Sequence, residues 1–333
     1  MDYNSRRTIF MLDPAGLSRI HAHGAAKFLL RVETSSRSED YARYEEIKNA
    51  IWDFPEDRLA GARNLLCENY FHDGTSLFIA AYASGPGGEP EESAERMVGF
   101  SYGYVGLRDK DVGFRSLDNL WFYSQYTGIR PDAEGFGLGV AIKEFQRDVL
   151  RNLFGISTVV CTYDPLTAVN AHRNIFRLGM TVIEYRTAVY GEFGGRLNRR
   201  DVPSDRFFMS WDLREGVKPA VRAGSGPGAG GPSILSVGRR TVPGRSGPIE
   251  LETAEGLDLG AASESARLRI PTDFYAMLRE TDVEDLEVRR IPVDWRLRTR
   301  EAFRALFGRG FRVAAFLDVL PGESGPGYIL RRK

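Results

Sequence analysis

The residues best suited to chemistry lie in one segment, residues 126–139, with the sequence YTGIRPDAEGFGLG. Gly135, Gly137 and Gly139 alternate there, just before a helical pattern begins. Glycines let a backbone approach a ligand closely, and the amides at the start of a helix bind a pyrophosphate with the helix dipole behind them. The pattern predicts a nucleotide-phosphate site, although alternating glycines are also typical of a flexible turn.

The context of the glycines excludes two other phosphate-binding motifs. A Rossmann fingerprint follows an early strand and has an acidic residue about twenty positions later, whereas two predicted helices, a hairpin and a third strand precede residue 126. A P-loop places Lys and then Ser or Thr after its glycines, and neither follows Gly139.

Hydrophobic periodicity predicts the elements that position this segment. The predicted strands are 76–82, 97–105, 119–129, 157–163, 181–190, 206–213, 249–259, 311–320 and 328–331. The predicted helices are 38–52, 55–70, 136–153, 166–178, 272–278 and 294–307. The glycines therefore lie between the third strand and the helix that follows it.

Changes in composition divide the chain into four predicted segments. Residues 1–37 are interpreted as an irregular arm with one short amphipathic piece, and residues 38–214 as the main domain. Residues 215–248 are predicted to be a linker because they include a stretch rich in Gly, Ser and Pro. Residues 249–333 are predicted to form a smaller C-terminal α/β domain.

Charge and cysteine content exclude several classes of protein. The chain has 45 basic and 45 acidic residues, so we expect neither a nucleic-acid nor an anionic-membrane partner. Cys67 and Cys161 are too few for a disulfide framework, and the histidines have no metal-ligand spacing, so no metal is expected. With no apolar run of membrane-spanning length, a soluble cytoplasmic protein is expected.

At this point the chain resembles the GNAT acetyltransferase superfamily. The coenzyme A motif of that family is an apolar residue, Pro, a basic residue and Gly-x-Gly-x-Gly, which Ile129, Pro131 and the three glycines match in part. A second family signature, an Asn near the start of the next helix and a Gly at its end, matches Asn170 and Gly179.

Three further runs resemble an uncharacterised branch of predicted acetyltransferases. They are residues 162–172, which contain Asp-Pro-Leu and Asn-Ala-His, the Tyr-Gly-Glu of 190–192, and the Asp-Arg of 205–206. The resemblance implies an α+β GNAT fold over about 38–213, with a mixed central sheet flanked by helices. It implies acetyl-CoA or another acyl-CoA as cosubstrate and an amine as acceptor.

The resemblance also implies which residues contact the cofactor. The pantetheine arm is expected along the strand backbone, the pyrophosphate on the amides of the glycine turn, and the next helix is expected to add two side chains. These residues are Thr127, Gly128 and Ile129; Gly135, Phe136, Gly137, Leu138 and Gly139; and Asn170 and Arg173.

The chain departs from the family pattern at two positions. Glu134 stands where the family has Arg or Gln, and a carboxylate beside a pyrophosphate is repulsive. Ile175 stands where many members have a Tyr that protonates the departing thiolate. Candidate catalytic residues are therefore Tyr163, Asp164 and Tyr190, although Asp164 also suits a helix cap and Tyr163 a core position.

The resulting prediction is an N-acyltransferase that moves an acyl group, expected to be acetyl, to a primary amine of a small molecule, amino acid or peptide by direct attack. Two alternatives stay open: a non-catalytic CoA sensor or interaction module, and a long-chain N-acyltransferase acting on a peptide or amino acid. Residues 299–311 repeat the helix-then-glycine pattern, so the C-terminal segment is interpreted either as a degenerate GNAT half beside the substrate cleft or as an ordinary α/β tail. A homodimer is among the expected assemblies.

Overall fold

The computed structural model describes residues 16–35, 38–52, 75–191, 194–195, 197–214 and 230–333. The helix predicted at 55–70, Cys67 and Glu192 lie outside these residues. The chain forms two compact units: the first comprises residues 1–160 and 212–214, and the second comprises residues 161–211 and 215–333.

Within the described ranges, more residues lie in strands than in helices. The strands are β1 (Ser18–His23), β2 (Ala26–Val32), β3 (Ser76–Ala83), β4 (Met97–Leu107), β5 (Leu120–Ile129), β6 (Thr158–Tyr163), β7 (Thr181–Arg186), β8 (Arg206–Asp212), β9 (Leu235–Gly244), β10 (Gly247–Leu257), β11 (Ser265–Arg269), β12 (Phe311–Leu317) and β13 (Gly327–Arg332). The α-helices are α1 (Ser38–Trp52), α2 (Leu138–Val149), α3 (Ala168–Ala171), α4 (Phe274–Glu280) and α5 (Leu286–Gly308). Wider π-helical turns, Leu150–Phe154 and His172–Arg177, continue α2 and α3.

The first eight strands form one mixed sheet in the order β1-β2-β3-β4-β5-β6-β8-β7. Neighbours from β1 to β5 are antiparallel, β5 and β6 are parallel, and β7 and β8 are antiparallel. The sheet needs helices on its faces because β3 is buried along nearly its whole length. The predicted α+β fold with a mixed, helix-flanked central sheet is confirmed.

The amino-terminal part of the sheet differs from the sequence prediction. Residues 18–32, interpreted as part of an irregular arm, form the β1–β2 hairpin, and β2 pairs with β3. The prediction failed there because this edge hairpin is short and its outer strand is largely exposed, so it lacks a regular apolar alternation. The main sheet therefore begins at Ser18 rather than after residue 37.

The carboxy-terminal residues form two small antiparallel sheets. β9 and β10 form a hairpin, so the predicted linker of 215–248 includes ordered strand from Leu235 onwards, and residues 215–229 lie outside the described residues. β11, β13 and β12 form the second sheet, in that order. α5 is longer than the predicted 294–307 because it continues through Pro292, which lies in its second turn.

A cluster of aromatic side chains forms the core of the second unit. Phe207 of β8 packs edge-to-face on Phe303 of α5, with ring centroids 4.8 Å apart, and on Tyr328 of β13 at 5.4 Å. Tyr163 of β6 packs on the same Phe207 ring at 5.8 Å. Aromatic pairs at these separations stabilise a core beyond the area they bury. The carboxy-terminal strands and helices therefore share one core with β6 and β8.

Candidate functional site

The glycine turn of the first unit connects β5 to α2. Gly135 and Gly137 have φ angles of 87° and 71°, a region that L side chains rarely adopt. A Cβ at Gly135 would meet nothing within 4 Å, and one at Gly137 would meet only the His21 ring at 3.9 Å. Glycine is needed at these positions for backbone conformation, and the space beside the turn is open.

In the described part of the chain, the amides of residues 135–139 have no recorded hydrogen-bond acceptor. The first paired amide of the helix belongs to Val140, which donates to the Gly137 carbonyl at 3.1 Å. Unpaired amides at a helix N-terminus carry a positive potential and suit an anion such as a diphosphate.

A buried polar network fixes α2 against the sheet. The Lys143 ammonium, whose residue is only 3% exposed, donates to the Ser124 hydroxyl of β5. Gln146 donates to the Ser101 hydroxyl of β4 at 2.9 Å, and that hydroxyl lies 3.2 Å from the Thr127 hydroxyl. Buried hydrogen bonds of this kind allow one arrangement and penalise others. The network therefore holds the glycine turn in a fixed position relative to Thr127.

The β1–β2 hairpin contacts the turn from another side. The His21 Nε2–H donates to the Phe136 carbonyl at 2.8 Å, because a carbonyl can only accept. Arg19 donates to Asp148 of α2 at 2.6 Å. Burial alone would raise the pKa of Asp148, but hydrogen bonds from Arg147 and Arg19 hold it below its usual value. The hairpin missed by sequence reasoning thus supports the turn.

The edge of β5 that faces β6 is open over its second half. The two parallel strands pair only at Phe122 with Val159 and Tyr123 with Val160. A bulge at Gln125 follows, and from there the recorded pairing of residues 127–129 is with β4 alone. Among the described residues, no strand pairs with the second edge of 127–129, the edge on which an added extended chain would pair.

Gly128 has a packing role that the sequence does not indicate. A Cβ there would lie 2.6 Å from both the Ile51 and Trp52 side chains of α1. Those separations are too short for any side chain, so the glycine lets α1 pack directly on β5. The face of β5 at Gly128 is thus covered by α1, and only the strand edge is open.

Neither Arg130 nor Lys143, two basic residues near the turn in sequence, is placed to neutralise the Glu134 carboxylate. Glu134 is exposed, like Gly135 beside it. Arg130 is paired with Asp132 at 2.6 Å, and Lys143 is buried on the sheet side of α2. Backbone amides therefore provide the positive potential of the turn.

Asp164, in the second unit, lies directly after β6 and receives three donors. Arg296 Nη2 of α5 donates to its Oδ2, and Arg206 Nη1 lies 3.5 Å from the same oxygen. The Leu166 amide donates to its Oδ1 at 2.9 Å. Asp164 thus stabilises the turn before α3 and also holds two guanidinium groups.

Tyr163 is a core residue in its contacts. It is 5% exposed, and its hydroxyl lies 3.2 Å from the Tyr328 hydroxyl, which in turn donates to the Pro165 carbonyl at 2.7 Å. Burial raises the pKa of Tyr163 strongly. These contacts favour the core interpretation of Tyr163 over the catalytic one.

Asn170 and Arg173 contact each other and a tyrosine that sequence reasoning missed. Asn170 Oδ1 accepts from Arg173 Nη2 at 2.7 Å, and Asn170 Nδ2 donates to the Tyr275 hydroxyl of α4 at 3.2 Å. Because Tyr275 accepts this hydrogen bond, its own hydroxyl proton is left to donate elsewhere. Burial, and next the charge of Asp164, raise the pKa of Tyr275, so it stays protonated. No local motif marks Tyr275, which lies 105 residues from Asn170.

Tyr190 is the most accessible of the predicted catalytic residues. It is 47% exposed, and its hydroxyl lies 2.9 Å from the Thr162 hydroxyl of β6. The Arg206 guanidinium carbon lies 5.1 Å from the centroid of its ring. Arg206 therefore contacts both Tyr190 and Asp164. The polar residues of the second unit described above, without Tyr190, are named the polar cluster: Asp164, Asn170, Arg173, Arg206 and Tyr275.

Cys161, metal binding and membrane crossing are the remaining features that the described residues test. Cys161 is buried, with its thiol 3.8 Å from the Met180 sulfur. Across the residues described, no group of three or more His, Cys, Asp or Glu side chains is arranged to hold a metal ion. No helix within the described ranges combines the length and the apolar character that a membrane crossing requires.

Comparison with known proteins finds similarity in fold. No family model and no curated protein matches the chain. Similar solved structures include a ribosomal-protein-S5-alanine acetyltransferase from Vibrio fischeri, with 14% identity, a TM-score of 0.40, and coverage of 61% of this chain and 100% of that one. Another is the ribosomal-protein-S18-alanine N-acetyltransferase from Escherichia coli, with 17% identity, a TM-score of 0.39, and coverage of 56% and 96%.

A third similar structure is a GNAT-family protein from Desulfovibrio desulfuricans, with 15% identity and a TM-score of 0.37. It covers 56% of this chain, and the match spans 99% of its own length. All three are similar to this chain at low identity and low structural score, so the residues described above carry the argument about function.

Proposed function

We propose that this chain is an acyl-CoA-dependent N-acyltransferase that transfers an acyl group, acetyl in the simplest case, to a primary amine. One observation carries the proposal: the unpaired amides of 135–139 open α2 directly after a strand whose edge at 127–129 is available. A diphosphate and an extended amide-containing arm are the two parts of a CoA ester that such groups would bind.

The residues divide the work as follows. The backbone of Thr127, Gly128 and Ile129 would pair with the pantetheine arm, and the amides of 135–139 would hold the diphosphate. The bound thioester supplies the activated acyl group. An amide near Ile129 would stabilise the negative charge that develops on the thioester oxygen. Asn170 would orient the acyl end of the cofactor.

Proton transfer is proposed for two tyrosines, Tyr275 and Tyr190. Ile175 cannot donate a proton, whereas Tyr275 has a hydroxyl proton that Asn170 leaves available. We assign the general-acid role to Tyr275: its proton would go to the thiolate sulfur as the C–S bond breaks. The proton that the amine loses as the C–N bond forms would restore the tyrosine hydroxyl. Tyr190 remains a second candidate because the residue is 47% exposed.

Two other functions would use the same cofactor site. A CoA sensor would bind the cofactor without turnover, and the exposed Glu134 beside the turn is the observation that favours it. A long-chain N-acyltransferase would differ in acyl length. We propose a cytoplasmic enzyme, with a homodimer as one possible assembly.

A glycine comparison tests the cofactor site. CoA binding is measured by calorimetry for the wild type, Gly137→Ala and Gly155→Ala. Gly155 is the matched control because its φ is 66° and a Cβ there would meet nothing within 4 Å. Both substitutions strain the backbone by about 1 kcal/mol, but only Gly137→Ala should weaken CoA binding, by about tenfold or more.

Turnover separates the candidate functions. Thiol release from acetyl-CoA is followed with a panel of primary amines, and then with longer acyl-CoA esters. Release with an amine supports the enzyme, whereas CoA binding without release from any ester supports the sensor. Absence of CoA binding by the wild type, or equal affinity in both glycine variants, would contradict the proposed site.

A further inference from the structure

The polar cluster and the arginine beside it contain more positive than negative charge. Arg206 and Arg296 contact one carboxylate, Asp164, and Arg173 acts on the same Tyr275 hydroxyl as Arg206. Another carboxylate, Asp205, already accepts two hydrogen bonds from Arg300 and one from Tyr185. Buried charges are normally paired, so this excess requires an explanation.

Arg296 forms the closer of the two ion pairs of Asp164. It is fully buried at 0% exposure, and its Nη2 donates to Asp164 Oδ2. Its Nε and Nη1 atoms have no hydrogen-bond partner within the described part of the chain, and its guanidinium lies 5.4 Å from the centroid of the Phe274 ring. The charge of Asp205 also acts on Arg296, but Asp205 is already hydrogen-bonded to Arg300. Asp164, which is hydrogen-bonded to Arg296, therefore cannot fully neutralise a second arginine.

Arg206 is incompletely compensated. It is 8% exposed, and its ion pair with Asp164 is long, at 3.5 Å. Its other acceptors are neutral: the Asp205 backbone carbonyl at 2.9 Å and the Asn198 side-chain oxygen at 3.4 Å. Neutral acceptors satisfy its N–H groups without cancelling its charge.

Arg173 has no anionic partner in the structure as described. Its acceptors are the amide oxygens of Asn170 at 2.7 Å and Asn174 at 3.2 Å. Burial lowers the pKa of Arg173, which is the direction expected for a cation removed from water without a counter-charge. Arg173 and Arg206 both act on the Tyr275 hydroxyl, because each lowers the pKa that burial and Asp164 raise.

We propose that the acceptor amine also carries a carboxylate, and that Arg173 and Arg206 hold this carboxylate beside the Tyr275 hydroxyl. The inference rests on the proposed acyl transfer and names its substrate class. A guanidinium group matches a carboxylate because its N–H donors form a planar fork. Arg173, predicted from the sequence to contact the cofactor, is here assigned to the acceptor.

Matched pairs of acceptors test the proposal on the wild type. Each amino acid in a panel, with its amine α, β or γ to the carboxylate, is compared with its carboxamide, using acetyl-CoA as donor. The expected result is a preference for the acids in kcat/KM of about 100-fold or more, since a site built for a polar group discriminates strongly against its absence. Acids lacking the amine should inhibit competitively against the acceptor.

Three substitutions test the assigned arginines. Arg173→Gln and Arg206→Gln should each raise KM for the best acid about tenfold or more, with little change in kcat and none in the reaction of the carboxamide. Arg177→Gln is the control, because Arg177 is exposed in the same π-helical turn as Arg173. If Arg206→Gln fails to fold, Arg173→Gln and the wild-type acid-to-amide ratio still decide the question.

Several outcomes would overturn the inference and leave the proposed function intact. These are equal turnover of acids and carboxamides, a preference for aminoalkyl phosphonates over the matched acids, or a fall in kcat that is the same for both acceptors in the arginine variants. Failure of acyl transfer itself would appear differently, as absent CoA binding or absent thiol release with every amine.

Discussion

The second unit contains the same strand order twice. In the first module, β6 is followed by α3, β7 and β8, and the strands lie in the order β6-β8-β7. In the second module, β11 is followed by α4, α5, β12 and β13, and the strands lie in the order β11-β13-β12. In both, the last helix is followed by a glycine with positive φ, Gly179 or Gly310, and then by a strand.

The corresponding residues of the two modules differ in chemistry. Each first strand is followed by one residue and then a proline: Asp164 precedes Pro165, and Ile270 precedes Pro271. Asp164 holds two arginines, whereas Ile270 is buried in the core. Asn170, near the start of α3, donates to the Tyr275 hydroxyl, whereas Asp273 caps α4 by accepting from the Ala276 amide. The second module thus has the same strand order as the first, but an apolar residue follows its first strand where the first module has Asp164.

The second module instead provides side chains to the first. Tyr275 contacts Asn170, Arg296 contacts Asp164, and Tyr328 contacts Tyr163. The interpretation of the carboxy-terminal segment as a degenerate half of the same fold stays a prediction, and the shared strand order agrees with it. A repeated strand order therefore need not repeat the side-chain contacts, since the second module contributes residues to the surroundings of Asp164 and Asn170.

The largest effect is expected where the modules share their core. Phe303→Ala removes a fully buried ring from contact with Phe207 and Tyr328 and should lower the free energy of unfolding by about 3–5 kcal/mol. Leu297→Ala, on the same helix but 42% exposed, should cost less than about 0.5 kcal/mol. Urea unfolding measures both. Similar losses in the two variants would show that the modules do not depend on this core.

The next effect concerns the ion pair of Asp205 and Arg300. Burial alone would raise the pKa of Asp205, but hydrogen bonds from Arg300 and Tyr185 hold it below its usual value. A lowered folded-state pKa means that this stabilisation is complete above the unfolded pKa of about 3.9 and is lost as pH falls through the folded pKa. Asp205→Asn should therefore cost about 3 kcal/mol near neutral pH and reduce the loss of stability in acid.

Unfolding midpoints between pH 7 and pH 3 measure this difference. The variant should approach the wild type as pH falls, because protonation removes the same interaction from the wild type. A constant difference across this range would contradict the assignment of the lowered pKa to Asp205.

A smaller effect is expected for the hydroxyl pair between β6 and β13. Tyr328→Phe leaves the Pro165 carbonyl and the Tyr163 hydroxyl without their partner and should cost about 1–2 kcal/mol. Tyr163→Phe should cost less, because Tyr328 still donates to Pro165. Chemical denaturation of the two variants compares them, and a larger loss in Tyr163→Phe would reverse the inferred direction of these hydrogen bonds.

The smallest effect is expected at the surface between the modules. The His172 Nδ1 atom lies 2.9 Å from Asp318, and both side chains are well exposed. Asp318→Asn should change the free energy of unfolding by less than about 0.5 kcal/mol, because water and salt screen exposed pairs. A loss above 1 kcal/mol in thermal unfolding would show that this contact joins the modules more strongly than its exposure suggests.

Sequence reasoning identified the elements with strong local signals. The apolar run of β3, the helical face of α2 and the glycines at the end of β5 gave the sheet and the turn at nearly their observed limits. It missed β9 and β11, because β9 alternates few apolar residues and β11 has only five positions. Edge strands and short strands depend on pairing with residues that are distant in sequence. The local pattern of apolar and polar residues does not show that pairing.

The candidate site was predictable only in part for the same reason. The glycine turn follows from spacing, but the contacts of Tyr275 and Arg296 depend on helices more than 100 residues from β6 along the chain. Asp164 was recognised as either a cap or a catalytic group, and its ion pair with Arg296 could not be inferred from neighbours in sequence. Long-range contacts of this kind need the folded chain.

The two modules belong to a single polypeptide, and this has a consequence for how their shared core assembles. Phe303 and Phe207 meet by an intramolecular step, in which tethered partners behave as if present at an effective concentration of about millimolar. Dilution cannot separate them, and every copy of β6 is synthesised with one copy of β13. Because one gene encodes both modules, the two modules are always produced in a one-to-one ratio, and no regulation of two separate products is needed.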